Sequence, residues 1–116
     1  MGESEVEGPK EDGATPVPAT LLVKSGFYEG LEIPLEGRQV VIGRGRGADI
    51  VLAEPTISRE HAMIGWSSDY GWYVQDLGST NGCFANGSSF DRHRLKRGDE
   101  IMLGRLAVEV TLPGDS

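Results

Sequence analysis

The sequence predicts an all-β fold, an antiparallel sandwich, and three observations carry that expectation. Short apolar runs recur from Thr20 onward, separated by turn residues roughly every eight to twelve positions. Turn formers are abundant, with 17 glycines and six prolines in 116 residues. No stretch shows the apolar period of 3.6 that marks an amphipathic helix.

Residues 1–19 precede the first run and read as a disordered acidic tail. Residues 1–20 contain Glu3, Glu5, Glu7, Glu11 and Asp12 against one lysine, with three prolines and almost no bulky apolar side chain. They hold a net −4 of the chain's −7. A single domain is expected over 20–112, with 113–116 as a short C-terminal tail. Its runs are TLLVKS, LEIPL, RQVVIG, DIVL, HAMIGW, GWYVQDL, CFAN, DEIMLG and RLAVEVTL. In the last, Leu106, Val108, Val110 and Leu112 alternate with Ala107, Glu109 and Thr111, as a half-buried strand requires. Asn81-Gly82 and Asn86-Gly87 are turn pairs suited to positive φ.

Composition narrows the function. An acidic chain lacks the basic surface through which sequence-independent nucleic-acid binding gains affinity, so no nucleic acid is expected. Cys83 stands alone, which excludes an internal disulfide and leaves no metal-ligand spacing. Neither a signal peptide nor about 18 consecutive apolar residues is present, so the expectation is a soluble cytosolic or nuclear protein, taken here as cytoplasmic, with no membrane partner.

Two motifs invite catalysis and fail on context. GRGRGADIVL, residues 43–52, is glycine-rich, but a phosphate loop of the nucleotide-binding kind needs a following helix, and DIVLAEP is β-branched and ends at Pro55. Ser58 and His61 in TISREH, with Asp49 and Asp76 elsewhere, suggest a serine nucleophile, yet no nucleophile-elbow sequence surrounds Ser58. His61 reads better as a structural histidine bonded to loop backbone. With no paired carboxylates or metal cluster, the chain is expected to be no enzyme and to need no cofactor or metal.

Gly43-Arg44, then Ser58 with His61 three residues on, then Ser79-Thr80-Asn81-Gly82 and Asn86-Gly87 occur in that order on an all-β chain. With DIVL before SREH and GDEIMLG after it, this constellation resembles the forkhead-associated (FHA) domain over about residues 20–112. The resemblance implies an eleven-stranded β-sandwich that recognises phosphothreonine in partner proteins. It implies that Arg44, Ser58, Arg59 and Thr80 surround the phosphate and that Asn81 bonds the peptide backbone. Gly43, His61, Gly82, Asn86 and Gly87 would shape the loops, and Thr56 would tune choice of the residue three after the phosphothreonine.

The residue types suit that chemistry. A phosphothreonine carries about −1.5 to −2 charge and three acceptor oxygens, so its site needs donors without opposing negative charge. Arg44 and Arg59 bring guanidinium forks, Ser58 and Thr80 short hydroxyls, and Asn81 a donor and an acceptor for extended backbone. Taken singly, each has an ordinary use as a turn cap or solvated charge. The expected partners are phosphothreonine proteins marked by a Ser/Thr kinase, met by a monomer. Small regulators with a similar layout suggest that phosphorylated Thr15 or Thr20 folds back onto the domain's own site. The alternative is a phosphate-independent structural or interaction domain of the same type, as part of a larger protein or assembly. Arg92, Arg94, Lys96 and Arg97 read as a solvated basic edge.

Overall fold

A computed structural model describes residues 18–36 and 39–112. Residues 1–17 of the tail expected at 1–19, with Thr15, and the tail expected at 113–116 lie outside the described residues. Eleven strands form in chain order: β1 Ala19–Val23, β2 Glu32–Leu35, β3 Gln39–Gly43, β4 Ile50–Val51, β5 Ala62–Ser67, β6 Gly71–Asp76, β7 Cys83–Ala85, β8 Ser88–Ser89, β9 Arg92–Arg94, β10 Ile101–Leu103 and β11 Leu106–Thr111. They make a five-stranded sheet, β9-β6-β5-β3-β4, and a six-stranded sheet, β2-β1-β11-β10-β7-β8. The described residues contain no helix.

Alternation decides which side chains meet between the sheets. From β11, Leu106, Val108 and Val110 point into the core, joined by Leu21 and Val23 of β1 and Ile101 and Leu103 of β10. The facing sheet contributes Ile42, Ala62, Ile64, Trp72 and Val74. Each fully buried Leu, Ile or Val contributes about 1.5–3 kcal/mol by leaving water, which is what holds two sheets together at about 10 Å.

Three expectations need correction. Ala19 is not tail: it opens β1, is buried, and pairs with Leu35. Thr20, expected in a flexible segment open to a kinase, sits half-buried in β1 with Pro34 on one side and Thr111 on the other. A residue laddered on both flanks cannot enter a kinase cleft without unzipping the strand. The sheets are also not wholly antiparallel, because β3 and β4 pair in parallel, Ile42 opposite Ile50 and Gly43 opposite Val51. The Asp49 carboxylate supports this return by accepting the Val41 N–H at 2.8 Å, while Asp49 N–H donates to Val41 O at 2.8 Å.

Register fixes the two ends of the sandwich. Val23 lies opposite Val108, and the chain beyond it reaches the β10–β11 turn, where Gly26 approaches Leu106 and Glu54. Leu77 N–H donates to His61 O, so the Asp76 end of β6 is at this same end. Ala19, Gln39 and the β5–β6 turn at Tyr70 mark the opposite end.

Candidate functional site

Three loops meet at the first of these ends. Arg44 N–H donates to Ser58 O at 3.0 Å and Gly45 N–H to Arg59 O at 3.1 Å, fastening the β3–β4 loop to the β4–β5 loop. The approach is close enough to require glycine at 43, where a Cβ would stand 1.9 Å from the Arg59 carbonyl oxygen. The β6–β7 loop joins through Thr80 N–H, which donates to Ser58 Oγ at 3.0 Å. Ser58 thus accepts with its oxygen and keeps its own proton to donate outward.

His61 is completely buried behind this junction. Its Nδ1 accepts the Ser58 N–H at 3.0 Å, so Nε2 carries the proton and donates to Gly82 O at 2.8 Å. With both nitrogens committed to backbone, His61 cannot take a proton from the Ser58 hydroxyl, and the nucleophile reading falls. His61, Asp76 and Cys83 bring ligating atoms within 4.8 Å of one another. They do not offer a metal a ready set: His61 is committed, and burial, aided by the neighbouring Asp76 charge and a hydrogen bond to it, pushes the Cys83 thiol up to about 12. Asp76 instead builds the loop. Its Oδ1 accepts Ser79 N–H at 3.1 Å and Ser79 Oγ–H at 2.6 Å, and Ser79 Oγ accepts Gly82 N–H at 3.0 Å.

Of the residues expected at the phosphate, Arg44, Arg59 and Thr80 are exposed and Ser58 is half-buried. Arg44 is aimed by its own Nε, which donates to Ile57 O at 2.9 Å and leaves the terminal nitrogens for a ligand. The stem of Arg59 lies against Gly45. Exposed Asn81 donates from Nδ2 to Thr56 O at 2.8 Å, which orients its carboxamide so that Oδ1 and the second N–H can pair with peptide backbone.

Thr56, expected to tune peptide choice, is tied into the loops around it. Its hydroxyl donates to Glu54 Oε2 at 2.9 Å and accepts Arg105 N–H at 2.9 Å, while its carbonyl holds Asn81. It is the knot between the β4–β5 loop and the β10–β11 turn, its hydroxyl proton and one acceptor position already taken. Gly82 adopts φ of 84° beside the junction, whereas Asn86 and Gly87, at 51° and 91°, form the two-residue turn joining β7 to β8. Asn86 serves that hairpin: its Nδ2 donates to Asp99 and its Oδ1 accepts Glu100 N–H.

Arg46, which falls outside the motif positions, joins this site. Together with Arg44, Gly45, Gly47, Arg59 and Glu60 it lines an open cleft of about 680 Å³. Three guanidiniums face one carboxylate there, an excess of positive charge on a chain that is acidic overall. The alternating Gly-Arg pattern of GRGRG was the available signal, since glycines on either side leave an arginine nothing to pack under.

The family model for the FHA domain matches residues 40–104. The chain is 35% identical over 106 residues to the glycogen accumulation regulator GarA of Mycobacterium tuberculosis, covering 91% of this chain and 64% of that protein. It is 33% identical over 91 residues to the FHA domain-containing protein FhaB of Mycobacterium tuberculosis, covering 78% of this chain and 58% of FhaB. The chain therefore spans less than two thirds of either relative's length. Among solved structures, an FHA domain studied for phosphothreonine-dependent interactions is similar at a TM-score of 0.73 and 32% identity, covering 82% of this chain and 96% of the other.

Proposed function

The chain belongs to the FHA-domain family, and on that premise we propose that it is a phosphothreonine-dependent protein–protein interaction module, a signalling adaptor or regulator that binds without catalysis. One observation carries the reading: Arg44, Ser58, Arg59 and Thr80 converge on one rim, with the Ser58–Thr80 hydrogen bond locking two of the loops together. Charge-assisted hydrogen bonds contribute about 1.5–3 kcal/mol each, so three or four supply much of the roughly 8 kcal/mol of a micromolar complex after ordering costs.

In this reading Ser58 and Thr80 hydroxyls and the Arg44 and Arg59 forks hold the phosphate, and Asn81 holds the peptide backbone. Thr56 acts on peptide choice through the position it gives Asn81 rather than through its own hydroxyl. A Ser/Thr kinase writes the mark on the partner, and a monomeric chain meets it in the cytoplasm through the domain at residues 20–112.

Tail phosphorylation fits this reading only through Thr15, and register restricts how. From Ala19, four residues reach at most about 14 Å plus one side chain. Ala19 lies beyond the Thr20–Thr111 pair, so β11 alone separates it from the β10–β11 turn by about 20 Å at strand rise. A phosphorylated Thr15 at this tether length reaches the site of a second copy more readily than its own.

The test is calorimetric titration with a degenerate phosphothreonine peptide pool beside the threonine and phosphoserine pools, with Ser58→Ala as control. The reading expects binding selective for phosphothreonine and lost in the variant. Equal binding to all three pools, or full binding by Ser58→Ala, would favour the phosphate-independent domain.

A further inference from the structure

The outward face of the five-stranded sheet has its own ordered arrangement, running from Tyr70 at the chain-entry end to Arg92, which lines a shallow pocket with Asp76, Gly78 and Asp91. On this face Tyr73 lies across Gly65, where a Cβ would stand 2.5 Å from the tyrosine Cζ and Oη. Arg92 rests on Tyr73, its guanidinium carbon 4.3 Å from the ring centroid, and 5.8 Å from that of Tyr70. Arg94 stands 5.6 Å from Tyr70, and the two tyrosines meet edge to face at 5.7 Å. Register explains the assembly: Arg94 pairs with Tyr73 and Arg92 with Gln75, so both arginines leave β9 on the same side as Tyr73. Among the described residues no carboxylate forms an ion pair with either arginine, although Asp69 and Asp91 are near in sequence. Two guanidiniums are thus held in place by aromatic faces without a direct ion pair, although the Asp76 and Asp91 side chains line a pocket with Arg92.

We propose that the chain's own acidic stretch Glu3–Glu11 docks on this face, with its carboxylates against Arg92 and Arg94. Charge complementarity is the first reason, since this stretch holds four of the five carboxylates in the first 20 residues and only one lysine. Position is the second. The chain enters the fold at Pro18 and Ala19, at the end of the sandwich that also carries Tyr70 and the Tyr73–Arg94 pair. Length is the third. Glu11 stands seven residues before Pro18 and Glu3 fifteen, giving spans of up to about 24 and 51 Å. The whole five-stranded sheet is only about 19 Å wide, with about 10 Å between sheets. Single exposed ion pairs are weak, but tethering sets an effective concentration of order millimolar, and several carboxylates share two fixed cations. The contact leaves the loops at Arg44 and Ser58 open.

The experiment attaches a nitroxide to Ser4→Cys in the full chain and reads amide signals by NMR. Buried Cys83, its thiol pushed up to about 12, leaves residue 4 as the reactive site. Docking predicts selective loss of intensity at Tyr70–Gln75 and Arg92–Arg94. It also predicts recovery in Arg92→Gln/Arg94→Gln, and recovery near 1 M salt, where the screening length falls to about 3 Å. Should that double variant not fold, Glu3→Gln/Glu5→Gln/Glu7→Gln gives the same reading from the other partner. Uniform broadening, broadening centred on Arg44 and Arg59, or an effect that survives both sets of substitutions would overturn the proposal.

Discussion

At the residue scale, His61 shows how a side chain of catalytic type becomes structural. Its two nitrogens bridge the Ser58 N–H and the Gly82 carbonyl, so it couples the loop bearing Ser58 to the loop bearing Thr80. His61→Ala leaves two backbone groups unpaired and is expected to cost about 2–4 kcal/mol, read from urea unfolding, with phosphopeptide affinity falling as well. Arg44→Ala should cost about 2–5 kcal/mol of phosphopeptide binding at near-constant stability, whereas Arg46→Gln, which supplies field rather than a fixed contact, should cost roughly 0.2–1 kcal/mol and lose its effect in high salt. Titration separates calorimetrically measured affinity from folding in both variants. Two buried groups set the limits in pH. The Cys83 thiol is raised from 9.0 to about 12, so the unfolded chain releases its proton first, and stability should fall as pH rises from about 9 to 12. Asp99 is buried, which alone would raise it, yet hydrogen bonds from His93, Asn86 and the Lys96 N–H hold it below its ordinary 3.8. Its contribution is therefore complete above about 3.8 and is lost as pH falls through the depressed value. Denaturant midpoints of Asp99→Asn and the parent chain should converge toward that acid limit and separate above it.

At the scale of elements, close approach governs the site more than any single donor. Gly43 ends β3 where the Arg59 carbonyl would overlap any Cβ. Gly43→Ala is expected to push the β3–β4 and β4–β5 loops apart, costing about 1–3 kcal/mol of stability and weakening phosphopeptide binding without removing a ligand group. Thermal melts beside the peptide titration check both. The strands legible in the sequence were those with an apolar face, such as β11 and β5. Ser88–Ser89 and Arg92–Arg94 were not, because edge strands of two or three polar residues carry no apolar alternation to read, and backbone pairing to β7 and β6 makes them strands. The basic run at Arg92 was legible as charge, but its stacking on Tyr70 and Tyr73 depends on register across β6 and β9.

At the scale of the molecule, two sheets place the loops bearing Arg44, Ser58 and Thr80 at one end and the chain's entry at the other. That polarity predicts that a chain carrying phosphorylated Thr15 associates with a second copy as concentration rises, which sedimentation would detect, and that Ser58→Ala abolishes the association. The sequence by itself determined the sandwich, from its period of two and its turn residues, and the family, from motifs whose order along the chain survives without coordinates. Only the tertiary structure decided which partners Thr56, His61 and Thr20 take. Their roles rest on contacts with Arg105, Gly82 and Thr111, residues far along the chain that the sheets bring alongside. Pattern reports which face a side chain takes, because that is set by neighbours two residues away; partners across loops are set by how two sheets close on a shared core, and no local period encodes that.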